Sequence, residues 1–252
     1  MRGLLFPILL FFTIAVSATE PTKPNSPPLN FGLTEFTKTL WSDNSDEFVA
    51  FANDEFIKHF EVLSKRQLKY KKEHQFVEYA FYYIHKKLLK NYEQYASISE
   101  TISVGKYDCV TASAVYSLFL TELNIPFSVI ETNYHMYMLV YPGTKNELLL
   151  ETTDPLNGFI ANKKKIAFLK QKYLQENNTQ TANQASFNWN INRVLSGDEL
   201  LGTLLYNQSV KQFNLGNTKE AKILAQKALH HDKSVRNNSY VKFLEQNQIA
   251  SN

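Results

Sequence analysis

The chain has 252 residues, 44% of them hydrophobic and 20% charged, with a formal net charge of +3. That length supports one good-sized domain with an ample core and a smaller appendage. The 18 phenylalanines and 14 tyrosines exclude a disordered chain. The charge is mild and the lysines are spread over many segments, so no nucleic-acid partner is expected.

Residues 1–18 read as a secretory signal peptide. Met1-Arg2 gives a positive start, Leu4 to Val16 an apolar run, and Val16-Ser17-Ala18 the small residues of a cleavage site. An uncleaved anchor is the alternative, but the run is short for a membrane span and Pro7 interrupts it, so stable membrane insertion is not expected. The mature protein is expected to be secreted or periplasmic. Its one cysteine, Cys109, then has no partner for an internal disulfide. Residues 19–32 contain four prolines and read as a linker.

A main domain is expected over residues 33–170. Leu33 to Trp41 is a short helical candidate, and Ser42 and Ser45 are candidate caps. A helical run follows, with Phe48, Phe51, Phe56, Phe60 and Leu63 on one side. Glu73 to Tyr92 carries Phe76, Tyr79, Ala80, Tyr83, Ile84 and Leu88 on one stripe, with Lys86, Lys87 and Lys90 toward its end. His59, His74 and His85 share no metal-ligand spacing with acids or cysteine and read as structural or solvent-facing.

After a short helical piece at Ser97 to Ile102 comes Gly105-Lys106-Tyr107-Asp108-Cys109. Gly105 suits a turn, Asp108 suits an N-cap, and Cys109 falls at the start of a helix that runs to Leu123-Asn124-Ile125-Pro126. A thiol at a helix N-terminus ionises more easily than a free one. Val115, Leu118, Phe119 and Leu123 form the expected core stripe of that helix.

Beyond Pro126 the period changes from helical to alternating. Phe127 to Glu131, Tyr134 to Tyr141 and Glu147 to Thr153 read as three strands, with a turn at residues 142–146. Helices followed by an antiparallel meander make an α+β chain. His135 opens the second strand. If Tyr141 pairs with Glu147, His135 faces Thr153 and Glu151 is diagonal to it. If Tyr141 meets Lys145, Glu151 stands directly opposite. Asp154 has the wrong parity for a flat strand and needs a bulge to reach the imidazole. Cys109, His135 and a carboxylate from Glu151 or Asp154 are the parts of a nucleophilic Cys–His–acid site.

These features together resemble the transglutaminase-like superfamily, over about residues 75–160. The resemblance rests on Gly105 and Cys109, on Leu123-Asn124-Ile125-Pro126, and on His135-Met136-Tyr137-Met138-Leu139-Val140. The final strand, Glu147-Leu148-Leu149-Leu150-Glu151-Thr152-Thr153-Asp154-Pro155, completes it. Asn124 stands where that family usually has glycine, an exchange that a left-handed helix end tolerates. The resemblance implies a papain-like core and a cysteine enzyme acting on an amide or peptide bond, with a peptide or protein substrate. It implies neither cofactor nor metal. Glu151 matches by hairpin spacing and by the Thr-Thr after it. Asp154-Pro155-Leu156-Asn157-Gly158 looks like the Asp-Pro-x-x-Gly ending of bacterial members that carry tetratricopeptide repeats.

The C-terminal residues fit that subgroup. After an Asn/Gln-rich loop from Glu176 to Asn192, residues 195–250 read as a helical segment. Tyr206 to Val210, the turn Leu215-Gly216-Asn217, Glu220-Ala221 and Lys227-Ala228-Leu229 resemble one tetratricopeptide repeat, and Ser239 to Gln248 a following helix. One repeat does not stand alone, so the segment is expected to pack on the main domain, with a protein partner as one role for its helices. His230-His231 is expected to face solvent. A catalytically inactive scaffold is the rival reading of the whole chain.

Overall fold

A computed structural model describes residues 46–180 and 191–249 of the chain. The expected signal peptide and linker, the Leu33–Trp41 candidate and most of the Asn/Gln-rich loop lie outside the described residues.

The fold mixes helices with an antiparallel five-stranded sheet. Two helices come first, α1 (Asp46–Gln67) and α2 (Glu73–Leu88). A small parallel pair, β1 (Asn91–Tyr92) and β2 (Lys106–Tyr107), brackets the short helix α3 (Ile98–Val104). Gly105 ends α3 at φ 78°, a left-handed position that suits a residue without a Cβ. The helix α4 (Cys109–Glu122) follows directly.

Then come β3 (Phe127–Thr132), β4 (Met136–Val140), β5 (Leu148–Leu150) and β6 (Phe159–Ile160). Helix α5 (Lys163–Gln180), strand β7 (Asn192–Leu195) and helices α6 (Gly197–Asn214), α7 (Thr218–His231) and α8 (Val235–Ile249) complete the chain. The sheet order is β6-β5-β4-β3-β7.

Helix α4 is the centre of the packing. Every residue from Val110 to Leu120 is buried, so the expected single stripe is replaced by a helix enclosed on all sides. Its composition explains this, because between Cys109 and Leu120 the polar residues are small hydroxyls or Tyr116. Those hydroxyls find partners: Tyr116 donates across to the Phe81 carbonyl of α2 at 2.8 Å, and Ser117 to the Ser113 carbonyl one turn back at 2.8 Å. Phe56 of α1 stacks near Phe119 with centroids 4.6 Å apart. Asn124 ends the helix region at φ 55°, as the Asn-for-Gly exchange requires.

The sheet separates α4 from α5. Ile130, Tyr137, Leu139, Leu149 and Ile160 point to the α5 side and pack with Ile166, Leu169 and Tyr173. The register of β4 and β5 pairs Met138 with Leu150 and Val140 with Leu148. Continued outward, that register sets Tyr141 against Glu147, the first of the two alternatives. The third strand is shorter than expected, because the chain turns at Glu151 instead of running to Thr153.

Four strands were not visible in the residue pattern: β1, which falls at the end of the expected Glu73–Tyr92 helix, β2, β6 and the edge strand β7. The last pairs Arg193 with Glu131. Helices α6 and α7 form a hairpin through Gly216, at φ 82°, and the small Ala221, Ala225 and Ala228 are fully covered. Among the described residues no helix is long and apolar enough to cross a membrane.

Candidate active site

Asp108 and Cys109 stand where β2 becomes α4. The Asp108 side chain accepts hydrogen bonds from the Val110 and Thr111 N–H groups at 2.9 Å each, while the Thr111 hydroxyl accepts from the Asp108 N–H at 2.9 Å. This reciprocal cap fixes the start of the helix and with it the direction of the thiol. The other Asp108 oxygen accepts from the Tyr95 N–H at 3.1 Å and from Asn207 of α6 at 3.2 Å.

The thiol is half-buried and lines a cavity of about 780 Å³ that also contains His135. The Met136 N–H, adjacent to His135, is among the backbone donors that reach it. Those donors do not decide its acidity. Burial, with the neighbouring Asp108 carboxylate, pushes the Cys109 thiol up to about 12. The expectation of an easily ionised thiol at a helix end is therefore corrected. The helix end is present, but the cost of placing charge in that enclosed setting is larger.

His135 is held by its backbone in a tight turn. Its N–H donates to the Thr132 hydroxyl at 3.1 Å, and its carbonyl accepts from the Thr132 N–H at 2.8 Å and hydroxyl at 2.9 Å. The residue sits just before β4 rather than inside it. Its Nε2 lies 2.6 Å from Glu151 Oε2. The Tyr173 hydroxyl of α5 donates to Glu151 Oε1 at 2.5 Å, and the Tyr173 ring packs 5.0 Å from the imidazole. Both carboxylate oxygens of Glu151 are thus engaged.

Asp154 is not brought to the imidazole. Its Oδ1 accepts from the Leu156 and Asn157 N–H groups at 3.0 and 2.9 Å, which makes it the residue that closes the turn after β5. Gly158 completes that turn, where an added Cβ would come within 2.3 Å of the Glu151 carbonyl and 2.4 Å of the Asp154 carbonyl. The Asp-Pro-x-x-Gly segment therefore serves the site indirectly, by setting the backbone of Glu151.

The C-terminal helices contribute directly to the cavity through Tyr206, Asn207, Phe213, Arg236, Tyr240 and Phe243. Beneath these side chains runs a buried ion network. Glu131 lies 2.8 Å from Arg193 and also pairs with Arg236, and Asp232 accepts from both Arg193 terminal nitrogens at 2.8 and 2.7 Å. Tyr173, Asn207 and this network carry no sequence signal, because each contact joins residues far apart in the chain. The earlier histidines are structural: His59 meets the Tyr83 hydroxyl at 2.9 Å and His85 is buried. His74 and His230 are exposed, whereas His231 pairs with Asp198 at 2.7 Å. Among the described residues no group of three or more His, Cys, Asp and Glu is arranged to hold a metal ion.

No family model, curated protein or solved structure matches this chain.

Proposed function

We propose that this protein is a transglutaminase-like cysteine enzyme with a papain-like core, exported to the periplasm or beyond, acting on an amide or peptide bond. The observation that carries the proposal is the 2.6 Å contact of His135 Nε2 with Glu151 at the cavity that holds Cys109. A carboxylate on Nε2 keeps the proton there and leaves Nδ1 as the base. Because the thiol rests in its neutral form, attack begins with transfer of its proton to Nδ1 as the sulfur approaches the acyl carbon. The Cys109 and Met136 N–H groups, which reach the sulfur, take the developing oxyanion. The imidazolium then returns its proton to the leaving amine, and water or a second amine releases the thioester. The C-terminal helices are read as a tetratricopeptide-like segment built into the same unit.

The test is the rate of Cys109 alkylation by iodoacetamide as a function of pH, followed by intact mass. In wild type the rate is expected to respond to His135→Ala and Glu151→Gln, and to keep rising past ~8.5, where an ordinary thiol is half ionised. Rates indifferent to both substitutions would remove the case for a working triad. The second reading, a scaffold with an idle site, is favoured by the surroundings that raise the Cys109 thiol, its burial and the neighbouring Asp108 carboxylate. It predicts that Cys109→Ala leaves the cellular phenotype unchanged.

A further inference from the structure

The Cys109 cavity has a wall of aromatic rings. Tyr206 and Phe213 of α6 and Tyr240 and Phe243 of α8 all line it. Their centroids run in sequence, 5.1 Å from Tyr206 to Tyr240, 6.2 Å from Tyr240 to Phe243, and 5.5 Å from Phe243 to Phe213. The rings form one continuous strip rather than scattered contacts.

The charges around the same cavity are already spoken for within the chain. Asp108 accepts from the Val110, Thr111 and Tyr95 N–H groups and from Asn207. Glu131 is held by Arg193 and Arg236. The Arg236 guanidinium, besides that pair, lies 4.4 Å over the Tyr206 ring and 3.7 Å from Asp232. His135 is engaged by Glu151. A charged ligand group entering here would lose water and meet carboxylate oxygens and terminal guanidinium nitrogens that are already bonded, a loss that an apolar group does not suffer. An apolar or aromatic group instead covers the part of Tyr206, Phe213 and Phe243 that their own packing leaves exposed.

We infer that the C-terminal helices select the acyl donor, and that this donor is a peptide segment whose side chain next to the reacting carbonyl is uncharged and apolar or aromatic. The inference rests on the nucleophile reading above. The volume of about 780 Å³ is in keeping with a short segment rather than a single small group. It also gives the helical segment a task inside the enzyme, in place of the external partner that its repeat-like pattern suggests.

The probe is a set of four peptidyl chloromethyl ketones, identical except for Phe, Leu, Glu or Lys beside the ketone. Alkylation forms a bond from the Cys109 sulfur to carbon and breaks the carbon–chlorine bond. Chloride leaves, and the thiol proton passes to His135. Rates on the full chain are divided by the iodoacetamide rate of the same protein, which has no side chain to recognise. The Phe and Leu reagents are expected to react about tenfold faster than the Glu and Lys reagents. Phe213→Lys should collapse that ratio, with the Glu reagent gaining most, and Phe213→Leu should keep it. Four wild-type rates within about twofold of one another would overturn the inference. So would a ratio that survives Phe213→Lys and Phe243→Lys in folded protein. Should neither iodoacetamide nor any of the four modify native Cys109, the nucleophile reading fails first and the inference falls with it.

Discussion

Asn207 and Asp108 meet through a 3.2 Å hydrogen bond across 99 residues of sequence, and this bond joins the start of α4 to the C-terminal hairpin. Asp108 is 3% exposed, and burial raises its carboxyl above the usual range against the pull of its donors. Removing one donor leaves a buried oxygen short of a partner. Asn207→Leu is expected to cost about 1–2 kcal/mol in urea unfolding. It should also slow Cys109 alkylation, because the cap that aims the thiol is loosened. An unchanged unfolding midpoint would show that the bond contributes nothing.

Gly158 offers a second test. A methyl group there meets two backbone carbonyls, which cannot swing aside as a side chain can. Gly158→Ala must therefore move the turn that carries Glu151. Expected effects are a loss of about 2 kcal/mol, read as a fall of about 4–8 °C in Tm, and slower alkylation of Cys109. Normal reactivity in a destabilised variant would separate the turn from the site.

Tyr173 is a positioning residue for the acid. Tyr173→Phe keeps the ring that lies 5.0 Å from the imidazole and removes only the donor to Glu151. The imidazole N–H proton lying in the 2.6 Å gap between His135 Nε2 and Glu151 Oε2 should give a far-downfield NMR resonance, absent in Glu151→Gln. In Tyr173→Phe the resonance is expected to remain but to move, while alkylation slows severalfold. A purely packing role for Tyr173 would leave the resonance where it was.

His85 carries a pH dependence of stability. Both its ring nitrogens are buried without a hydrogen-bond partner, and it stands edge-on to Phe81 and Tyr107. Burial lowers it to about 4, opposed by Asp154. Between that value and the ordinary ~6.5 the unfolded chain binds the proton and the folded one does not, so stability falls as pH drops through this window. The full difference is on the order of 3 kcal/mol. His85→Phe should flatten the urea-midpoint profile between pH 6.5 and 4. An equally steep profile in the variant would assign the acid sensitivity to other groups.

Much of the nucleophile region was legible from residues alone because its signals are local. Gly105 takes a left-handed φ, Asp108 caps its own helix, and Asn124 ends it with a left-handed turn. The hairpin left two registers open, and either put Glu151 within reach of His135; the structure takes the one that sets Tyr141 against Glu147. Asp154 competed with Glu151 on paper because its Asp-Pro segment matches a family ending, whereas its carboxylate is spent on its own turn. What remained hidden is long-range. Strands β6 and β7 are short, and Arg193 has meaning only across from Glu131. The acidity of Cys109 is hidden from the sequence, because a helix terminus can be read from spacing but the burial that outweighs it depends on everything packed around α4.

The ion network that joins Glu131, Arg193, Asp232 and Arg236 spans the central sheet, its last strand and the two final helices. None of these charges can be buried at low cost until its partners have arrived. During synthesis the strand carrying Glu131 emerges long before the helices that supply Arg236, so the cavity beside Cys109 cannot close early. The protein thus carries an assembly order in its salt bridges: Glu131 emerges without its counter-charges, and the wall of the cavity beside Cys109 is complete only once the last helices dock.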